Sequence, residues 1–507
     1  MRIILLTFHL VVMLNLFAQT GRDEFKAVSI DKTPEHVQPM TGIVFWDGQY
    51  QNLIQESTSL EYSYMLYNDV VKEKDVYDWT VVEKKLDDIA SRNHQAVFRF
   101  RFTYVGKQTS VPDYIKNLPD YNETEGISEG RTTWFPDWTN QELKDFTLQF
   151  YTRFAEKYDK DSRLAFLETG FGLWAEYHIY DGPFELGVTF PSKAFQEAFF
   201  HHLDTTFTCL PFMISIDAAS EKYSPFSEVP ELLDIHFGLF DDSFMHEGFG
   251  EPGEYNTESW NFFDRNRFKI SPAGGEFSYY TSYDQKHVLD YPDGPYGKPF
   301  EFFAGEFHIT FIIGNDQAIY QTPSRIKNAS MATGYLFKIV SFLSKQDSSL
   351  VTVKNVGVAP FYYDAYVTVD GVRSQVSLKW LEPGDSIVCP VSAGGSEPVL
   401  TIESDRILET QEIEFLGTEN HLGVYSPLKN SGFELYPNPV DNGSFLNLRA
   451  SGSEKKQLTI VDLNGKLVLS NTFQNQKRIN TNLLKSGIYI VSVESAFGHH
   501  SQKLIVK

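Results

Sequence analysis

Cysteine is nearly missing from this chain: two residues, Cys209 and Cys389, in 507. A single pair cannot make a disulfide framework, so an apolar core has to hold the fold. Two unpaired buried thiols are the reading, with one bridge between domains as the alternative. Positive charge is scarce too, with 44 Lys and Arg against 67 Asp and Glu and a formal net charge of −23. A partner made of phosphates needs a basic footprint, so the balance excludes nucleic acid and disfavours an anionic membrane surface. Beyond the first twenty residues no apolar run is long enough to span a bilayer, so no transmembrane segment is expected. The chain also lacks a P-loop, a nucleophile elbow, a zinc-spaced histidine pair and a cysteine-nucleophile motif. No metal and no cofactor are expected from it.

What is present is aromatic and acidic. Rings make up 15% of the residues, led by 42 Phe and 27 Tyr. Most belong in a core, and the remainder suit a sugar site. The N-terminus, MRIILLTFHLVVMLNLFAQT, has one Arg, an apolar run from Ile3 to Phe17 and a cut after Ala18. Residues 1–18 therefore look like a secretory signal peptide, and the protein is expected to be exported.

From about residue 40 to 345, short apolar runs alternate with amphipathic ones. Strands are expected at Gly42–Trp46, Leu60–Tyr67, Gln95–Phe102, Leu164–Glu168, Phe212–Asp217, Leu232–Gly238, Phe268–Glu276 and Phe307–Ile313. Helical periodicity lies between them, in TVVEKKLDDIASRN, TNQELKDFTLQFYTRFAEKY and KAFQEAFFHHLDTTF, and again in SRIKNASMATGYLFKIVSFLS. Eight strand-helix pairs give the α/β count of a (β/α)8 TIM-like barrel, and no glycine-rich phosphate loop follows the first strand as a doubly wound sheet would have. Residues 346–417 alternate with period two around turns at Asp370-Gly371 and Pro383-Gly384, so a small all-β sandwich should follow.

A second small all-β unit is expected at 432–507, with LYPNPVDNG at Leu435–Gly443, LTIVDLNGKLVLS at Leu458–Ser470 around an Asn464-Gly465 hairpin turn, then LKSGIYIVSVES and a final QKLIVK. This tail resembles the C-terminal sorting domain of the type IX secretion system of Bacteroidetes. The resemblance implies passage across the outer membrane by that machinery and a secreted or cell-surface location.

In a (β/α)8 barrel the working groups stand at the C-terminal ends of the strands. Those ends carry Glu168 and Glu176, Asp217, Asp241 and Asp242, Glu276 and, before the last strand, Glu306. Cleaving a glycosidic bond takes two carboxyl groups, one protonated and one ionised, on either side of it. The chosen pair is Glu176, in GFGLWAEYH (Gly170–His178), and Glu276, in AGGEF. Both sit beside glycines that let backbone approach a ligand, and Trp174 offers an apolar wall that would raise the pKa of Glu176. Arg99 and Arg101 share one face of the third strand, where they hold carboxylates or grip an anionic sugar. The long loop Thr103–Thr139 brings Trp134 and Trp138 as platforms for sugar rings. His178, His236 and His308 lie near strand ends as hydrogen-bond partners, without metal-ligand spacing.

Several stretches together resemble secreted bacterial barrel domains of unassigned function that are distantly similar to retaining glycoside hydrolases. They are YNDVVKEKDVYDWTVVEKKLDDIASRNHQAVFRF (Tyr67–Phe100), GFGLWAEYH, FGLFDDSF (Phe237–Phe244) and AGGEF. The resemblance implies a hydrolase of poly- or oligosaccharides with Glu176 as acid/base and Glu276 as nucleophile. Trp174, His178, Arg99, Arg101, Asp242, Trp134 and Trp138 would contact substrate. The chain departs from the clan's Asn-Glu pair, since Ala175 precedes Glu176 and Leu167 precedes Glu168. An inverting hydrolase with Asp242 as base is a second reading. A non-catalytic glycan-binding protein is the rival, and it becomes the better account if either glutamate points into the core or pairs permanently with Arg99 or Arg101.

Overall fold

A computed structural model describes residues 25–418, 433–450, 455–462, 466–495 and 498–507. The signal-peptide segment and the Asn464-Gly465 turn lie outside the described residues. The chain divides into two units, Met1–Leu422 and Gly423–Lys507.

In the first unit eight parallel strands close into a barrel in which every strand pairs with its neighbours in sequence. They are β1 (Gly42–Trp46), β2 (Leu60–Leu66), β3 (Gln95–Arg101), β4 (Leu164–Thr169), β5 (Phe212–Ser215), β6 (Gly238–Phe244), β7 (Ala273–Phe277) and β8 (Phe311–Ile313). Helices cover them where the 3.6-residue period predicts: α1 (Thr80–Ala90), α2 (Gln141–Tyr158) and α3 (Lys193–Thr206). The start of α2 follows from sequence. Asn140 caps it by accepting from the Leu143 N–H at 3.1 Å, and Leu143, Phe146, Phe150 and Phe154 recur on its buried face.

Four expected elements differ. The sixth strand is Gly238–Phe244, because Pro230–Asp234 forms a 3-10 turn that buries Leu232 instead. The seventh is only Ala273–Phe277, since Arg267–Lys269 turns and Pro272 stands before the strand. The eighth is Phe311–Ile313, preceded by a helix that runs to Glu306 and by His308 at φ 54°. The last expected helix ends at Ser330, and Phe337–Lys345 is a strand paired with Ser348–Asn355. Phe337, Ile339, Phe342 and Ser344 are buried there with solvent-facing residues between them, so a strand period was read as a helical one.

Two further sheets, antiparallel except where Phe415–Leu416 pairs in parallel with Phe337–Lys345, accompany the barrel. One joins Phe337–Lys345, Ser348–Asn355 and Ser386–Val391 with short strands at Lys26–Ala27 and Phe415–Leu416; the other joins Val372–Ser377, Tyr366–Val369 and Leu400–Glu403. The Asp370-Gly371 turn lies between paired strands, with φ values of 49° and 79° that suit a two-residue hairpin. The core of this region runs on into the barrel interior, where Phe361 and Tyr363 share a cluster with Val97, Phe166 and Phe311. Cys209 and Cys389 are both free thiols.

The second unit is all β. Glu434–Tyr436, Phe445–Arg449 and Gln476–Asn480 make one sheet, and Leu467–Phe473, Lys456–Asp462, Gly487–Ser495 and Gly498–Val506 the other. Leu446, Leu448, Leu458, Ile460, Val491 and Leu504 form its core.

Candidate active site

The C-terminal ends of the barrel strands open into a cavity of about 920 Å³. Rings line it: Trp46, Tyr64, Tyr104, Trp174, Tyr180, Tyr223, Tyr255, Tyr279 and Tyr280. So do five carboxyl groups, Glu129, Glu176, Asp217, Asp242 and Glu276, and among the described lining residues none is Lys or Arg.

Beneath the cavity lies Arg99, fully buried. In the register of β3 and β4, Arg99 stands beside Glu168. Two parallel neighbours on the inner face meet side by side, and the guanidinium donates to Glu168 Oε2 through Nε at 2.8 Å, with Nη2 2.6 Å from the same oxygen. Nη1 donates to Glu176 Oε1 at 3.0 Å, and Nη2 lies 3.6 Å from Glu276 Oε1. One cation thus serves three glutamates, with the ring of Phe240 4.2 Å away. Burial opposes charge on this guanidinium, but Glu168 and the groups around it hold its pKa well above the ordinary value.

Glu176 owes its position to the fold of GFGLWAEYH. The chain doubles back after β4, so that Gly172 N–H donates to Glu176 O at 2.7 Å and Leu173 N–H to His178 O at 2.9 Å. A Cβ on Gly170 would stand 1.9 Å from Ala175 O, and one on Gly172 2.0 Å from His178 O, so both glycines are required by close approach. Trp174 and Ala175 occupy the left-handed region at φ 57° and 60°. Their strain is offset where Tyr64 Oη and Arg99 Nη1 donate to Trp174 O at 2.8 and 3.2 Å.

The carboxyls titrate apart. Glu276 is pushed up to about 8, first by burial and then by Glu176 and Glu168, with Arg99 only partly opposing. Glu168 is raised by burial as well, against the pull of Arg99. Asp241 reaches about 6 through burial, although Asn256 Nδ2 and Trp260 Nε1 donate to it at 2.7 and 2.8 Å. At the other wall, His178 Nδ1 lies 2.5 Å from Asp217 Oδ2 and 3.8 Å from Asp242 Oδ2, while Nε2 lies 3.2 Å from Glu176 Oε2. Burial works against protonating this ring, but Asp217 and Glu176 outweigh it and hold its pKa well above 6.5. Asp217 is lowered by the same contact despite its burial, and Asp242 is raised by burial and by Asp217 and Glu176. One donor atom from each of Glu176, His178, Asp217 and Asp242 can be chosen so that all lie within 4.8 Å of one another. That set is of a composition to hold a metal ion, and residue spacing did not disclose it because its members come from three strand ends.

Residues 434–507 match the secretion system C-terminal sorting domain. This sorting domain coincides with the all-β second unit, and it indicates secretion to the cell surface or the exterior. Among the described residues no helix is long and apolar enough to cross a membrane. A comparison with curated proteins gave no match. Among solved structures, the chain is similar to a family 39 glycoside hydrolase from the gut symbiont Bacteroides cellulosilyticus WH2, at 10% identity over 71% of this chain and 83% of that one, with a TM-score of 0.38. It is similar also to xylanase 10B from Thermotoga maritima, at 10% identity over 54% and 81% with a TM-score of 0.33. A Cellulomonas fimi endo-β-1,4-mannanase double mutant aligns at 9% identity over 95% and 100%, with a TM-score of 0.29. The barrel assignment itself rests on the strand order given above.

Of the residues singled out by sequence, Glu176, Glu276, Trp174, His178 and Asp242 meet at the cavity, and Arg99 lies under it. Arg101 does not line it; its guanidinium sits 4.4 Å from the ring of Tyr104, which does. The two loop tryptophans are corrections. Trp138 is fully buried against Phe102, Phe171 and Phe195, and Trp134 lies on the hairpin Thr124–Ser128/Arg131–Phe135, outside the cavity lining. The long loop packs its rings on the body of the protein and sends only Tyr104 and Glu129 to the cavity. His236 is exposed, and His308 stacks on Phe268 at 3.5 Å; neither lines the cavity. Sequence reasoning missed Trp46, Tyr64 and Tyr279-Tyr280, although their places at the ends of β1, β2 and β7 were signal enough.

Proposed function

We propose that the barrel is a glycoside hydrolase that receives a neutral poly- or oligosaccharide in this cavity, outside the cell or on its surface. The observation that carries the reading is that Glu176, on the loop after β4, and Glu276, in β7, both line this one cavity, with the guanidinium of Arg99 3.0 and 3.6 Å from them. Contacts of that length to one guanidinium keep the two carboxyls within roughly 9 Å of each other, a ceiling compatible with hydrolase pairs. Tyrosine and tryptophan faces around them suit the C–H faces of pyranose rings.

The roles are the reverse of those that the motif positions imply. The carboxyl of Glu276 makes no hydrogen bond among the described residues, is buried, and with its pKa raised to about 8 favours the protonated form at neutral pH, so it is the proton donor to the leaving oxygen. Glu176, bonded to Arg99 and set against His178, is the carboxylate that attacks the anomeric carbon or activates water. Tyr64 and Trp174 form the wall next to it.

One observation favours the rival reading, glycan binding without cleavage: the Arg99–Glu176 hydrogen bond occupies an oxygen that an attacking carboxylate would need. The test is reducing-sugar release from a panel of plant, algal and host glycans by the chain without its sorting domain, beside Glu176→Gln and Glu276→Gln. The hydrolase reading expects release that each substitution lowers by about 10²-fold or more while folding is kept. Binding that survives both substitutions, with no release by the parent, would establish the rival. Proton NMR of the first product anomer then separates retention from inversion.

A further inference from the structure

We infer that the His178 wall of the cavity binds a divalent cation of the zinc or manganese kind, with His178 Nε2, Glu176 and Asp242 as ligands and Asp217 orienting the imidazole. The sequence places Glu176 and His178 two residues apart on a doubled-back loop, while Asp217 arrives on the 3-10 turn after β5 and Asp242 within β6. Their donor atoms converge within 4.8 Å.

The atomic contacts fit a coordination site better than a set of salt bridges. His178 is 8% exposed, and its Nδ1 is taken by Asp217 at 2.5 Å. That leaves Nε2 pointing toward Glu176, and although Oε2 is only 3.2 Å away the two are not aligned as donor and acceptor, so Nε2 is a buried polar atom without a hydrogen-bond partner. A separation of 3.2 Å is the edge expected between two ligands that each lie about 2.1 Å from one ion. The carboxylate on Nδ1 is the partner that metal-bound histidines commonly carry; it fixes the ring so that Nε2 faces the metal. Asp242 accepts one hydrogen bond among the described residues, from Ser243 Oγ to Oδ1 at 3.3 Å, which leaves Oδ2 for a cation.

Imidazole with carboxylates suits Zn²⁺ or Mn²⁺, whereas Mg²⁺ prefers oxygen ligands and retained water. Binding would displace the ring proton and offset the charge of the crowded carboxylates. From the proposed function the inference takes only that a glycan enters the cavity, where adjacent sugar hydroxyls could complete the coordination of the ion. Because Glu176 Oε1 is held by Arg99 and the ion would take Oε2, a bound ion competes with the attack assigned to Glu176, so added metal is expected to lower glycan release rather than support it.

The experiment is calorimetric titration of the EDTA-treated, dialysed full chain with Zn²⁺, Mn²⁺ and Ca²⁺ in the absence of glycan, with metal content checked by elemental analysis. One ion per chain is expected, with Zn²⁺ or Mn²⁺ ahead of Ca²⁺. His178→Ala and Asp242→Asn should each weaken binding at least about tenfold, and Asp217→Asn should do so through the ring it orients. Glu276→Gln should bind metal normally, because Glu276 is not among the ligands; Glu176 is the one residue shared with the hydrolytic pair. Asp242→Asn is near-isosteric, so it keeps the test valid if His178→Ala does not fold. No binding below millimolar metal, or binding that Asp242→Asn and Asp217→Asn leave unchanged, would overturn the inference.

Discussion

Replacing Arg99 by Met is the most informative single perturbation of this barrel. The guanidinium is fully buried, and so is Glu168, whose Oε2 lies 2.8 and 2.6 Å from two of its nitrogens. Truncation leaves Glu168 as an uncompensated acid in the interior and takes from Glu176 its hydrogen bond at 3.0 Å. Breaking a buried pair in this way costs about 3–5 kcal/mol, most of it the penalty of the stranded charge. Part of that cost is met by protonation, which the raised pKa of Glu168 already favours. The double variant Arg99→Met/Glu168→Leu removes both members, and replacing a buried pair by apolar side chains is often close to neutral, so it should recover more than half of the loss. Urea unfolding followed by tryptophan fluorescence measures both. A loss below about 1 kcal/mol for Arg99→Met, or a double variant as unstable as the sum of the singles, would refute the view that this guanidinium organises the barrel mouth.

Other expectations follow from the same contacts. Glu276, raised from 4.5 to about 8, keeps a proton in the folded state that the unfolded chain releases above 4.5, so its contribution to stability falls as pH rises through that window. Glu276→Gln should flatten this part of the stability–pH curve, as read from urea midpoints at pH 5 to 9, and an unchanged slope would contradict it. Gly172→Ala should leave little soluble folded protein, since its Cβ would meet His178 O at 2.0 Å, whereas Gly305→Ala, with open space around it, should be neutral or slightly stabilising by thermal melt. Glu254 accepts from the Asn256 and Thr257 N–H groups at the start of the helix Tyr255–Phe262; despite burial these bonds and His246 hold it at about 2. Glu254→Ala should cost about 1 kcal/mol near neutral pH, a difference present above pH 4.5 and lost as pH falls toward 2, by urea unfolding at both ends.

Amino-acid order alone determined the parts of this protein that rest on local chemistry. The apolar runs at Gly42–Trp46 and Leu164–Thr169, the capped period of Gln141–Tyr158 and the Asp370-Gly371 turn are dictated within a few residues of themselves, and they emerge where periodicity places them. The tail was legible as an all-β unit for the same reason, as short alternating strands, and as a sorting domain through the resemblance of its motifs to a known family. Tertiary structure decided what depends on neighbours distant in the chain. Phe337–Lys345 is a strand because Ser348–Asn355 pairs with it, and Trp138 is core because Phe102, Phe171 and Phe195 surround it. The loop of Glu176 was visible as an unusual stretch, but its glycines acquire their purpose only when Ala175 O and His178 O fold back onto them. Protonation was the least legible property. A carboxyl's pKa reflects burial and the charges around it, so the raised pKa of Glu276 and the convergence of Glu176 and His178 with Asp217 and Asp242 exist only once four strand ends meet at one mouth.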